Sequence, residues 1–208
     1  MQIQMYTPEY EDSWLRCRLL SYFYTSLYED VETSKPTYNG RPTIELIAIE
    51  DGMVVGILDM VLDTEELRTS FLSKGLGAFL KTIAVHPDYQ SKGIGRKLFE
   101  MALKELEHTP IEFIELYTRG DEQANNFYKK LGFELMAESY DVFGIEKGMR
   151  DTISMGIENK RIKAFHENGE PCDYIIVDAV YEVYDLNALE NIDYDRYYPA
   201  RGYLKKIK

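Results

Sequence analysis

The residues with the clearest capacity for chemistry lie in one run, FLKTIAVHPDYQSKGIGRKLFEMAL, residues 79–103. An apolar stretch closes at Val85-His86-Pro87, and Gln90-Ser91-Lys92-Gly93-Ile94-Gly95-Arg96 then leads into an amphipathic pattern. Glycines in such a turn let backbone N–H groups approach an anion closely, and the start of a helix adds partial positive charge. Lys92 and Arg96 flank the turn and can meet phosphate oxygens. Together these residues compose a cradle for a pyrophosphate. Two other phosphate-binding turns fit less well. No GxxxxGK[ST] string occurs. The dinucleotide fingerprint wants a small residue where Leu98 stands, although Glu115 lies twenty residues after Gly95, as that fingerprint's acidic partner would.

The elements on either side must hold this turn. Residues 78–86 read as a strand, and Leu98, Phe99, Ala102, Leu103 and Leu106 recur at helical spacing, predicting a helix from Gly95 to Leu106. Upstream, residues 2–7 alternate like a short strand. Trp14, Leu15, Arg18, Leu19, Tyr22 and Phe23 place a helix within 11–26, and Pro36, Gly40 and Pro42 mark a loop over 33–42. IELIAIE and MVVGILDMVLD flank Asp51-Gly52, a strong hairpin signal. Downstream, 111–118 reads as a strand, 121–131 as a helix and 133–145 as a strand. Residues 150–166 read as weakly helical, and 173–185 as a long β-rich segment ahead of a Tyr-rich tail. Antiparallel strands followed by a β-α-β-α-β stretch define an α/β or α+β single domain.

Within that order of elements, V-H-P-D-Y-Q-S-K-G-I-G-R-K-L resembles motif A of the GNAT N-acetyltransferase superfamily, which carries [QR]-x-x-G-x-[GA] after its fourth strand. A-N-N-F-Y-K-K-L-G-F, residues 124–133, resembles the family's downstream A-x-x-[LF]-Y-x-K-x-G-F. The resemblance covers residues 1–145 and fades beyond them, so residues 146–208 are expected to be a C-terminal extension that completes the sheet. It implies a mixed, mostly antiparallel central sheet with helices on both faces. It also implies transfer of an acetyl group from acetyl-CoA to a primary amine, directly within a ternary complex, with acetyl-CoA as cosubstrate and no metal.

The resemblance assigns roles as well. The backbone of Ile83, Ala84 and Val85 would lie along the pantetheine arm, with an N–H polarising the thioester carbonyl. Gln90, Ser91, Lys92, Gly93, Ile94, Gly95 and Arg96 would hold the pyrophosphate. Tyr128 would give a proton to the leaving thiolate as general acid; packing against Phe127 and Leu131 is the other use of its ring. Asp121 stands where many members hold an asparagine that contacts pantetheine, and is expected to cap the following helix instead. Asn125 and Asn126 are candidates to replace that contact. The attacking amine must lose a proton, and no base stands out. His86 titrates in the right range but reads as structural, while Glu45, Asp59 and Glu115 are supported by their chemistry alone. Cys17 reads as helix packing.

Composition sets the outer limits. The chain has 208 residues, with 24 Lys and Arg against 36 Asp and Glu, a net charge of −12. This balance argues against a nucleic-acid partner, whose phosphates need neutralising cations. Residues 1–66 hold thirteen acidic and four basic side chains, a field suited to a cationic small-molecule or peptide amine. Only Cys17 and Cys172 are present, too few for a disulfide framework. The start of the chain lacks a signal-peptide pattern, and the longest apolar run, 53–62, is about half a bilayer span. The expectation is a cytoplasmic protein with no membrane partner. Seven tyrosines between 174 and 203 suit half-buried strand faces, an acceptor pocket or a homodimer contact. A non-catalytic acyl-CoA-binding or interaction module on the same fold is the alternative to an enzyme.

Overall fold

The computed structural model describes residues 1–147, 153–158, 161–172 and 179–208. They form two compact units, Met1–Ala137 with Arg201–Lys208, and Glu138–Ala200.

The first unit begins with β1 (Gln2–Met5), α1 (Glu11–Tyr22), β2 (Thr43–Glu50), β3 (Met53–Leu62) and β4 (Gly77–Val85). It continues through α2 (Ile94–Leu106), β5 (Phe113–Arg119) and α3 (Glu122–Lys130). The strands lie in the order β1-β2-β3-β4-β5, antiparallel throughout except for the parallel pair β4 and β5. The β2–β3 hairpin turns at Asp51 and Gly52, whose φ values of 50° and 79° give the turn whose twist matches the strands it joins.

Alternation along the strands feeds two separate cores. Leu46, Leu58 and Met60 pack with Leu98, Phe99 and Leu106 of α2, while Ile47, Val54 and Ile57 pack with Trp14 and Cys17 of α1. The helices therefore cover opposite faces of the sheet. Strand β3 is covered on both, which explains why its sequence is almost uninterrupted apolar residues. Helix α1 stops at Tyr22, short of the predicted residue 26. The backbone N–H and Oγ1 of Thr25 both donate to the Tyr22 carbonyl and close a turn there. Residues 23–42 then run to β2 with neither α-helix nor strand.

The second unit draws on β6 (Glu134–Glu146), β7 (Ile153–Glu158), β8 (Arg161–His166), β9 (Pro171–Cys172), β10 (Ala179–Val183) and β11 (Ile192–Lys206). β10 pairs antiparallel with β6, and β7-β8-β9 form a small antiparallel sheet. Over the described residues 153–158 and 161–166, the weak helix predicted for 150–166 is thus corrected to the antiparallel strands β7 and β8, and residues 150–152 and 159–160 lie outside the described residues. Ile153, Met155 and Ile157 recur at period two, as do Ile162 and Ala164, and ladder pairing wins over a weak helical pattern. Of the β-rich segment 173–185, residues 179–183 are strand, and residues 173–178, with Tyr174, lie outside the described residues. The last residues of β11 belong to the first unit, where Tyr203 is buried. Among the described residues no helix is long and apolar enough to cross a membrane.

Candidate active site

Strand β4 is paired with β3 along its length, including Val85 with Gly56, Ala84 with Ile57 and Ile83 with Leu58. Its parallel pairing with β5 covers only Gly77, Ala78 and Phe79. Beyond Phe79 the two parallel strands part, and the edge of β4 facing β5 is open. The His86 N–H donates to the Val55 carbonyl on β3. Antiparallel alternation then turns the polar backbone of Ala84 toward β3 and that of Ile83 and Val85 toward the open edge. Gln90 Nε2 donates to the Val85 carbonyl at 3.1 Å, so the edge presents the N–H groups of Ile83 and Val85.

The strand runs directly into the glycine turn. Ser91 and Gly93 have φ values of 61° and 77°. Such left-handed residues curl successive N–H groups into a concavity that suits an anion. A non-glycine residue there costs about 1–2 kcal/mol, and Ser91 bears it. The N-cap of α2 is Gly93, which has no side chain to satisfy the first turn. Among the described residues the N–H groups of Ile94, Gly95 and Arg96 therefore have no acceptor. Lys92 Nζ donates to the Asp88 carbonyl at 3.0 Å and lies 4.5 Å over the Tyr89 ring, and Arg96 is exposed on the first turn of α2. Gln90 Oε1 accepts from Gln123 Nε2 of α3 at 3.1 Å, tying the turn to the helix that carries Tyr128.

Tyr128 is half-buried, its ring 5.6 to 6.1 Å from those of Phe127, Phe133 and Tyr203. Burial raises its phenol above the ordinary tyrosine value, and the neighbouring Tyr22 adds to the rise. Tyr22 closes α1; its hydroxyl interacts with that of Thr82 on β4, and the Arg18 guanidinium lies 4.7 Å over its ring. Tyr22 thus interacts with both Thr82, the neighbour of Ile83 on β4, and Tyr128. Sequence periodicity placed Tyr22 only on a helix face, and nothing local marked it as part of a site.

The remaining candidates divide. Asp121 does stand at the N-cap of α3, but its side chain does not cap the helix. It accepts instead from the backbone N–H and the hydroxyl of Ser26, because the segment after α1 crosses there. Asn125 is buried, donates to the Arg119 and Asp121 carbonyls and accepts from Tyr203; these bonds occupy it. Asn126 is exposed. His86 Nδ1 accepts from the Asp88 N–H at 3.3 Å. Glu115 accepts from the N–H groups of Phe71 and Leu72 at 3.0 and 2.7 Å, and so pins the segment before β4. Burial pushes the Cys17 thiol up to about 12, which leaves it unreactive.

Glu45 and Asp59 are cross-strand neighbours, and Asp59 in turn neighbours Thr82. Between the two carboxylates sits Lys35, from the segment linking α1 to β2. Its Nζ bonds Glu45 Oε2 and lies 2.9 Å from Asp59 Oδ2, which also accepts from the Tyr38 hydroxyl at 2.7 Å. The rings of Tyr6, Trp14 and Tyr38 surround the same ammonium, with centroids 4.7, 5.3 and 5.3 Å away. Burial alone would lower the Lys35 ammonium, but Asp59 and Glu45 more than offset that and hold it above the ordinary lysine value. In the sequence Lys35 was only part of a loop. Tyr38 shares its segment and the other partners come from four more, which no local pattern reveals.

Residues 42–135 match the family model described as an acetyltransferase (GNAT) domain. An uncharacterized N-acetyltransferase, ycf52, of the red alga Gracilaria tenuistipitata var. liui is 31% identical over 91 residues, covering 42% of this chain and 49% of that protein. The [ribosomal protein bS18]-alanine N-acetyltransferase of Escherichia coli K12 is 35% identical over 81 residues, covering 38% of this chain and 55% of that protein. The chain therefore spans about half the length of these curated relatives. In three dimensions it is similar to smu.2055 of Streptococcus mutans UA159, with a TM-score of 0.56 at 17% identity over all of both chains. It is also similar to a GNAT-family acetyltransferase of Staphylococcus aureus Mu50, with a TM-score of 0.54 at 16% identity over 100% of this chain and 99% of that one. At those identities the structures share the fold alone. The motif pair, the matching family model and the shared fold agree on one point: residues 42–135 are similar to the acetyltransferase (GNAT) domain.

Proposed function

We propose that the protein transfers an acetyl group from acetyl-CoA to a primary amine in a ternary complex. The observation that carries this reading is the open edge of β4 running straight into a turn of unpartnered N–H groups. Such an edge suits the amide-bearing pantetheine arm, and such a turn suits its pyrophosphate. The fit is chemical as well as spatial, because the N–H groups of Ile94, Gly95 and Arg96 want an acceptor and Lys92 and Arg96 supply charge. When bound, acetyl-CoA supplies an activated acyl group on a thiol that leaves readily. In this reading the acetyltransferase core lies within residues 1–145, and the extension 146–208 serves to complete its sheet.

The chain's residues then have distinct tasks. Ile83 and Val85 orient the thioester through backbone N–H groups, and one of them stabilises negative charge developing on the carbonyl oxygen. The amine nitrogen bonds to the acyl carbon as the carbon–sulfur bond breaks, so one proton must leave the ammonium and one must reach the sulfur. Tyr128 retains its phenolic proton throughout the neutral range and donates toward the sulfur. The acidic excess of residues 1–66 draws in a cationic acceptor.

Release of free thiol from acetyl-CoA, followed across a panel of primary amines, tests this directly. The reading expects amine-dependent release with one acetyl group gained by the acceptor for each thiol freed. Binding of acetyl-CoA without release for any amine would favour the non-catalytic module.

A further inference from the structure

Lys35 is an alkylammonium ion enclosed by three aromatic rings and two carboxylates, with only 4% of its side chain exposed. Aromatic faces and carboxylates directed at one cation are the chemistry by which proteins recognise free ammonium groups. Three features set this pair apart from an ordinary internal tie.

The first is placement. Glu45, Asp59 and Thr82 stand in register across β2, β3 and β4, so the cage lies in the same row of the sheet as the Tyr22–Thr82 contact beside Ile83. The second is unused capacity. Asp59 Oδ1 is buried without a hydrogen-bond partner in the described structure. The tethered lysine leaves this acceptor unmet, at a cost. The third is the tether. Residues 23–42 contain no helix or strand beyond turns, and they hold on mainly through polar ties, Arg18 to Asp30, Ser26 to Asp121 and the Lys35 N–H to Glu11 Oε1. Phe23, Tyr24 and Val31 of this segment face solvent instead of anchoring it. A long segment with few buried apolar contacts opens at lower cost than the sheet beneath it.

We propose that the Tyr6–Trp14–Tyr38–Glu45–Asp59 cage is a binding site for the ammonium group of an acceptor, and that Lys35 is a built-in mimic that the acceptor displaces. This rests on the amine-acetylation reading and names the part of the acceptor that is recognised. The tethered lysine competes with any free amine. The apparent affinity of the cage is therefore reduced by the fraction of time that Lys35 fills it.

Trp14 is the only tryptophan of the chain, so its emission reports on the cage. Titration with n-butylammonium chloride, against sodium chloride at equal ionic strength, is expected to change that emission saturably in the wild type. The midpoint should fall by roughly tenfold or more in Lys35→Ala, where the competitor is gone. Hydrogen exchange of the wild type gives a second readout that needs no variant. Exchange across 33–38 should accelerate in n-butylammonium, because displacing Lys35 frees its N–H from Glu11. No emission change in either protein, with exchange across 33–38 unaltered, would overturn the proposal even if thiol release showed amine acetylation. A cage response with no thiol release for any amine would support the ammonium site while defeating the transferase reading.

Discussion

At the residue scale, Tyr128 carries the sharpest claim. Its phenol is held protonated by burial and by Tyr22, and its ring is braced by Phe127, Phe133 and Tyr203. Tyr128→Phe keeps that packing and deletes only the hydroxyl. The expected loss in kcat is about a hundredfold, the usual range for a positioned proton donor, with the KM for acetyl-CoA little changed. Equal kcat for variant and wild type across the pH range would remove Tyr128 from the chemistry. Its position was legible because the downstream motif fixes it on α3. Tyr22 and Lys35 were not legible, since their partners come from β3, β4 and other distant segments. Asp121 shows a related failure: the sequence places it correctly at a helix start, but the crossing of Ser26, 95 residues away in the chain, takes its side chain.

At the element scale, the site depends on how α2 is seated. Gly56 of β3 lies beneath its first turn: a Cβ added there would stand 2.8 Å from Ile94 Cγ2 and 3.0 Å from Leu98 Cδ1. Gly56→Val would thrust α2, and the N–H groups at its start, away from the end of β4. Overpacking of this kind typically costs about 1–3 kcal/mol. Denaturant melts should show that loss, and the KM for acetyl-CoA should rise. Unchanged stability with unchanged KM would mean that the seat of α2 does not set the cradle. The hairpin at Asp51-Gly52 and helix α2 were readable because local turn chemistry and periodicity agree with the tertiary packing. Residues 153–158 and 161–166 were not, because their weak helical pattern yields to strand pairing that only the folded chain supplies.

At the scale of the whole molecule, the acidic excess near the start of the chain is partly built into the first unit. Arg18 pairs with Asp30, Lys35 with Glu45 and Asp59, and Arg41 with Asp63. Asp63 also accepts from the N–H groups of Thr69 and Gly77. Composition alone shows the surplus of carboxylates; their positions show that several are anchors for the loops that frame the sheet. The charge that reaches an acceptor is therefore the remainder, and the Lys35 cage is where two of those carboxylates face an amine. The polar edge of β4 and the turn after it remain the centre of the account, and they make a demand on the intact protein that needs no knowledge of the acceptor. A thermal-shift comparison of acetyl-CoA, CoA and NADH at fixed protein concentration is the most direct test. A ligand at 100 times its Kd stabilises by about 2.7 kcal/mol, which for a chain of this size is a rise in Tm on the order of 5–10 °C. The account predicts such a rise with acetyl-CoA and with CoA and none with NADH; no rise with either CoA species would contradict it.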